Sequence, residues 1–307
     1  MDERISWNNL DMEKTTSPLR YPGGKQKLAG FIKHLISANK VSDGFYAEPY
    51  AGGCGLALDL LFSESIYHLR LNDADFNIYA FWRSVLEYPE ELVDRVMNAK
   101  LSVSEWERQR IILQSSVTNI LDKGFATFFL NRTNRSGILS AGPIGGKDQT
   151  GNWKIDARFN KENLVSRIRR VAMYANRIEI HNLDAMVFLE QIKIEASKQK
   201  ALVYLDPPYY VRGPELYLNA YEHNDHASLA EFLESNYSDV KWIVSYDVCL
   251  PVANLYNGFR CSEQILNYSA NTFRKGNEFV FYSNKMILPS DIVLRSPYAI
   301  ISNSNIA

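Results

Sequence analysis

Strand-like and helix-like stretches take turns along this chain, and no other feature of it limits the fold so tightly. A helical stretch runs from about Gln26 to Asn39, then comes a strand in GFYAE (44–48) and, after a glycine turn, an apolar helix in LALDLLF (56–62). A second strand, IYHLRLND (66–73), leads into a helix through FNIYAFWRSVL (76–86). After a long interruption the alternation resumes with IEIHNLDAMVFLEQI (178–192), ALVYLD (201–206), HASLAEFLESN (226–236) and KWIVSYD (241–247). Strands separated by helices pair in parallel, with the helices packed on the faces of the sheet. The close differs: EQILNYSANTFRKGNEFVFYSN (263–284) holds two strands joined by a short turn, hence an antiparallel pair. The expected fold is α/β, a Rossmann-like, mostly parallel sheet with a terminal antiparallel strand.

The interruption, from about Pro89 to Ala172, has helical stretches (LVDRVMNAK, SVSEWERQRIILQSSV, GFATFFLNR) and then the glycine-rich SGILSAGPIGGKDQTGNW. It reads as an inserted helical subdomain, 89–172, that divides the sheet-bearing domain into 17–88 and 173–290. Residues 1–16 and 291–307 read as loose tails. Net charge is −1, yet Lys123 to Arg177 holds eleven basic and three acidic residues, so this segment carries +8 and the remainder −9. A local basic face of this kind suits a polyanion; a solvated helix face is the other reading. At 46% hydrophobic and 22% charged the chain has the profile of a soluble globular protein. Three distant cysteines suggest neither disulfides nor a zinc site, and no run approaches membrane-spanning length, so a cytoplasmic protein with no membrane contact and no metal is expected.

Chemistry-bearing residues collect at the carboxyl ends of the expected strands, where open parallel sheets bind ligands. In AEPYAGGCG (47–55), Gly52 and Gly53 let the backbone turn sharply and pass close to a ligand. Asp73 ends the next strand 21 residues after Gly52, a spacing that suits an acid on ribose hydroxyls, though a cap on the following helix also explains it. YPGGK (21–25) sets Lys25 at the mouth of a helix but lacks phosphate-loop spacing. In YLDPPYY (204–210) the prolines stop a strand and fix Asp206 at its end. The Asp206 carboxylate and the Pro207 carbonyl are two acceptors side by side, and Tyr209 offers a flat face: a set suited to a planar ring bearing an exocyclic amine. A bare strand stop is the alternative.

In this order the pieces LRYPGGK (19–25), AEPYAGGCGLAL (47–58), LNDAD (71–75), FFLNRTNRSG (128–137) and LDPPYY (205–210) resemble the Dam-like family of adenine-specific DNA methyltransferases in its α arrangement. The resemblance spans about residues 18 to 285. It implies S-adenosylmethionine as cofactor, held by Tyr21, Lys25, Glu48, Gly52, Gly53, Asp73 and Asp206, with Asp184 near the adenine. It also implies transfer of a methyl group to the N6 amine of an adenine turned out of double-stranded DNA, with Asp206, Pro207 and Tyr209 at the reacting centre. Tyr21 departs from the tryptophan of the best-known members and keeps a flat face; Cys54 stands where a small residue is usual. Asn131, Arg132, Asn134 and Arg135 are expected nearest the bases, and Arg167, Arg169 and Arg170 on phosphates. For Asn131 and Arg132, bracing of the insert against the catalytic domain is an equal reading.

The nearest rivals keep the fold and change the acceptor to an RNA base or the N4 amine of cytosine; serine before the two prolines is commoner in the cytosine enzymes, so Asp206 favours adenine. A nucleotide-dependent oxidoreductase leaves DPPY unexplained, and a non-catalytic DNA-binding relative would bind without turnover. A cognate restriction endonuclease is a candidate partner, and a monomer or weak dimer the expected state.

Overall fold

The computed structural model describes residues 16–21, 25–116, 119–211, 221–268 and 274–303. The expected tail 1–15, the central residues 22–24 of YPGGK and the last four residues lie outside them.

Seven strands form one sheet: β1 (Phe45–Glu48), β2 (His68–Asn72), β3 (Ile178–His181), β4 (Ala201–Leu205), β5 (Trp242–Asp247), β6 (Arg260–Tyr268) and β7 (Arg274–Tyr282), in the order β3-β2-β1-β4-β5-β7-β6. The first five are parallel and β6 and β7 form an antiparallel pair, as the sequence led one to expect; β7 lies between β5 and β6. The order reverses between β1 and β4, and in open α/β sheets ligands bind in the crevice beyond the carboxyl ends of the strands at such a point.

Helices cover both faces. Among the described residues they are α1 (Ala29–Ala38), α2 (Gly55–Phe62), α3 (Phe76–Glu87), α4 (Pro89–Asn98), α5 (Val103–Gln114), α6 (Ile120–Thr133), α7 (Lys161–Ala172), α8 (Ala185–Lys198), α9 (His223–Asn236), α10 (Leu250–Leu255) and α11 (Pro297–Asn303). A short 3-10 turn, Lys25–Leu28, precedes α1. Strand side chains alternate between two cores: Tyr46, Leu202, Tyr204 and Ile243 face one, while Phe45, Ala47, Val203 and Val244 face the other. All four residues of β1 and all five of β4 are buried, as strands covered on both sides require. No described helix is long and apolar enough to cross a membrane.

Helices α4 to α7 share the core of the first face. Phe128 of α6 stacks on Phe81 of α3 with ring centroids 5.6 Å apart, and Phe159 packs against both Phe128 and Phe129. Gly124 permits the crossing, since a Cβ there would lie 2.1 Å from Ser84 Oγ and 2.7 Å from the Ala80 carbonyl. One correction concerns the expected tail from 291. The Arg295 N–H donates to the Cys261 carbonyl at 2.9 Å, and Ile300 of α11 is fully buried, so residues 291–303 pack against β6 and α10. An apolar residue three places into a short terminal helix is enough to dock it once a groove exists.

Candidate active site

The glycine turn after β1 is tied down from three sides. The Gly52 N–H donates to Asp73 Oδ2 at 2.8 Å, the Trp82 indole donates to the Gly52 carbonyl at 2.9 Å, and the Ala51 N–H reaches the Asn72 carbonyl at 2.9 Å. Gly52 has φ +47° and Cys54 φ +50°, so the turn uses left-handed backbone just before α2. The Tyr21 side chain lies over it: a Cβ on Gly52 would meet its ring at 2.7 Å, and one on Gly53 would meet its Cβ at 2.6 Å.

Asp73 spends its other oxygen, Oδ1, on the Asp75 N–H at 2.9 Å. The helix cap belongs instead to Asp75, which accepts from the Asn77 N–H. Burial pushes the Asp73 carboxyl up to about 7 against the pull of its two backbone donors. Among the described residues each oxygen has one donor, so each keeps a direction for a further one, which suits a vicinal diol. Asp184 is exposed at the start of α8 and caps it through Oδ1, taking the Met186 N–H at 2.8 Å. Glu48 is buried and accepts from the Tyr46 hydroxyl at 2.9 Å; burial, helped by nearby Asp206, lifts it to about 8.

Across the crevice, Asp206 follows β4 and is partly open, its side chain 22% exposed. Ser245 of β5 donates to its Oδ1 at 3.1 Å, and the Lys25 ammonium lies 3.3 Å from the same oxygen. Among the described residues nothing donates to Oδ2 or to the Pro207 carbonyl. Burial and the neighbouring Glu278 raise the Asp206 pKa, with Lys25 opposing. The loop beyond is clamped from β5: Asp247 accepts the Tyr210 N–H at 3.0 Å and the Val211 N–H at 2.9 Å.

Lys25, expected on the cofactor, is buried instead among Asp206, Tyr209 and Glu278, with Glu278 Oε1 at 2.7 Å. Burial works against its charge, but Asp206 and Glu278 hold its pKa above the ordinary lysine value. Tyr209 also differs from the expectation of an open stacking face. It is 9% exposed, its hydroxyl meets Lys25 and Glu278, and the ammonium sits 4.8 Å from its ring centroid. The physical reason is one missed residue, Glu278 of β7, which draws both groups inward. A signal existed: in NEFVFY, Glu278 shares a strand face with core residues Val280 and Tyr282, an acid in an apolar row.

Of the residues expected nearest the bases, Asn131, Arg132 and Asn134 lie inside the fold, and the contacts of Asn131 and Arg132 fit the alternative reading as braces. Asn131 is buried, accepts the Arg20 N–H at 2.7 Å and donates to the carbonyls of Arg20 and Gly137 at 2.7 and 2.8 Å. Asn134 is fully buried; it accepts from the Trp106 indole at 2.6 Å and donates to the Ile138 and Leu139 carbonyls. Arg132 is 8% exposed and its guanidinium donates twice to the Pro18 carbonyl. Burial, then the cations Arg167, Arg20 and Arg158, push its pKa down to about 9. Arg167 reaches the Ser17 carbonyl at 3.0 Å. Asn131, Arg132 and Arg167 grip the segment 17–20 that delivers Tyr21 and Lys25, because buried backbone polar groups need partners and amides and guanidinium groups supply them. Arg135, Arg169 and Arg170 remain on the surface, with Arg169 paired to Glu90 at 2.6 Å and the Arg170 guanidinium 4.3 Å over the Phe62 ring.

An acid and a tight glycine turn on one side of a crevice, and a carboxylate beside a free carbonyl on the other, form a site for an adenosine-bearing cofactor facing an amine. No curated protein matches the chain in sequence. The family profile described as D12 class N6 adenine-specific DNA methyltransferase matches residues 21–272. That range takes in both sides of the crevice and the helices between them, and the chain belongs to this family: it is an S-adenosylmethionine-dependent, site-specific DNA adenine-N6 methyltransferase.

Proposed function

We propose that Asp206 Oδ2 and the Pro207 carbonyl are the two acceptors that hold the target amine, with the adenine extruded from double-stranded DNA. What supports this reading is the placement of every described contact of Asp206 on Oδ1, which leaves Oδ2 to the crevice. The N6 lone pair of adenine is delocalised into the ring and is a poor nucleophile. Two acceptors on its hydrogens favour a pyramidal nitrogen and localise that pair. S-adenosylmethionine supplies a methyl group on a sulfonium, whose sulfur leaves as a neutral thioether. The nitrogen gains one positive charge as its bond to carbon forms and then releases one proton. Asp206 stabilises that charge as it develops, and placement of the reactants contributes on the order of 7 to 11 kcal/mol.

Asp73 takes the ribose hydroxyls, Glu48, Gly52, Gly53 and Tyr21 line the cofactor, and Asp184 Oδ2 meets its adenine. Turning a base out of a duplex costs roughly a few kcal/mol. Phosphate contacts from the exposed Arg135, Arg169 and Arg170 on the 89–172 insert and α7 offset part of that. The decisive experiment compares wild-type protein with Asp206→Ala on unmodified duplex DNA, digesting the product and quantifying N6-methyladenine. A loss of roughly a hundred- to a thousandfold is expected in the variant, the scale of removing a transition-state partner, with folding kept. Undiminished methylation would overturn the assignment, and methylation of single strands alone would overturn the extruded duplex base.

A further inference from the structure

We infer that Glu278 is a positioning residue for methyl transfer, keeping Asp206 available to the amine by competing for Lys25. This rests on the assignment of Asp206 as amine acceptor. The Lys25 ammonium lies between two carboxylates, 2.7 Å from Glu278 and 3.3 Å from Asp206. Its nearer partner is therefore the acid that is 1% exposed at the sheet interior, and its farther partner is the one that opens on the crevice.

The competition has a chemical consequence. A lysine committed to Asp206 alone would bind the carboxylate that the amine needs, and would withdraw electron density from it just as positive charge grows on nitrogen. Glu278 draws the ammonium off and leaves Asp206 the stronger acceptor. Lys25 still contacts Oδ1, and among the described residues Oδ2 has no donor. Glu278 also takes the Tyr209 hydroxyl. It lies opposite Asp247 across the β5–β7 pair, so two neighbouring strands hold consecutive parts of the loop from Tyr209 to Val211.

The groups that face Asp206 are Lys25 from the turn before α1, Tyr46 and Glu48 from β1, Tyr204 from β4, Tyr209 from its own loop, Ser245 from β5 and Glu278 from β7. Within this set Glu278 and Lys25 act on Asp206 with opposite sign. Removing the charge of Glu278 lowers the Asp206 pKa, and removing that of Lys25 raises it.

The test is Glu278→Gln in the full chain, with kcat on unmodified duplex DNA followed against pH and S-adenosylmethionine affinity measured by calorimetry. A fall in kcat of roughly ten- to a hundredfold is expected, with cofactor affinity within about twofold and the acid limb of the profile moved to lower pH. Lys25→Gln is expected to move the limb the other way, and it decides the matter if Glu278→Gln does not fold. Unchanged kcat in Glu278→Gln, or a fall in activity with an unmoved acid limb in both variants, would overturn the inference. Absence of methylation by the wild-type protein would instead remove the reading on which it stands.

Discussion

Asn131 holds Arg20 by both of its backbone polar groups, accepting the N–H and donating to the carbonyl, each at 2.7 Å. An asparagine in α6 thus fixes the chain one residue before Tyr21, which lies on the glycine turn, and five before Lys25 beside Asp206. The tie spans 111 positions of sequence.

Asn131→Ala is therefore expected to destabilise the fold, since it leaves the Arg20 and Gly137 groups without partners. The cost is roughly 3 kcal/mol or more, at about 1 to 3 kcal/mol for each of the three groups abandoned. Urea unfolding measures it. A base reader at this position would behave otherwise, with unchanged stability and relaxed choice of DNA site.

Asp73→Asn leaves one acceptor oxygen where the carboxylate offers two, so the Gly52 and Asp75 donors and a ribose diol compete for it. Cofactor affinity should fall roughly tenfold or more, the loss of a charge-assisted hydrogen bond being worth about 1.5 to 3 kcal/mol. With its pKa near 7, Asp73 is ionised above neutrality. Calorimetric titrations should show wild-type affinity weakening below about pH 7 and the variant losing that dependence.

Glu48 binds its proton more tightly in the folded protein than in the unfolded chain. Its stabilising contribution is full below about pH 4.5 and is lost as pH rises through about 8. Glu48→Gln should remove this loss, so that at pH 8 the variant is more stable than wild type by roughly 2 to 4 kcal/mol. Paired unfolding curves between pH 5 and 9 give the difference, and parallel curves would contradict it.

Asp247→Ala frees the Tyr210 and Val211 N–H groups and with them the loop that carries the Pro207 carbonyl. A displacement of about 1 Å can cost on the order of a hundredfold in rate. kcat should fall by that order while cofactor affinity holds, which single-turnover methylation separates from binding.

How far the sequence can be read depends on how local the cause is. Asp206 at a strand end follows from two prolines beside it, and the parallel sheet from helices between strands; both are consequences of neighbours in sequence. Asn131 and Arg132 were legible as base readers or as braces of the insert, with nothing local to choose between the two. Their targets are carbonyls and N–H groups of residues 18–20, and no local pattern says which distant backbone will lack a partner. Glu278 escaped notice for the same reason, though its place in the apolar row of β7 marked it as unusual.

By itself, then, the sequence determined the strand order's chemistry: which turns carry glycine, which strands end in an acid, and that an adenosine-type cofactor and an amine fit between them. Only the tertiary structure decided where the charges of Lys25, Arg132 and Glu278 go. A buried charge must find a partner wherever the fold brings one within reach, and that reach is a property of packing in space rather than of order along the chain.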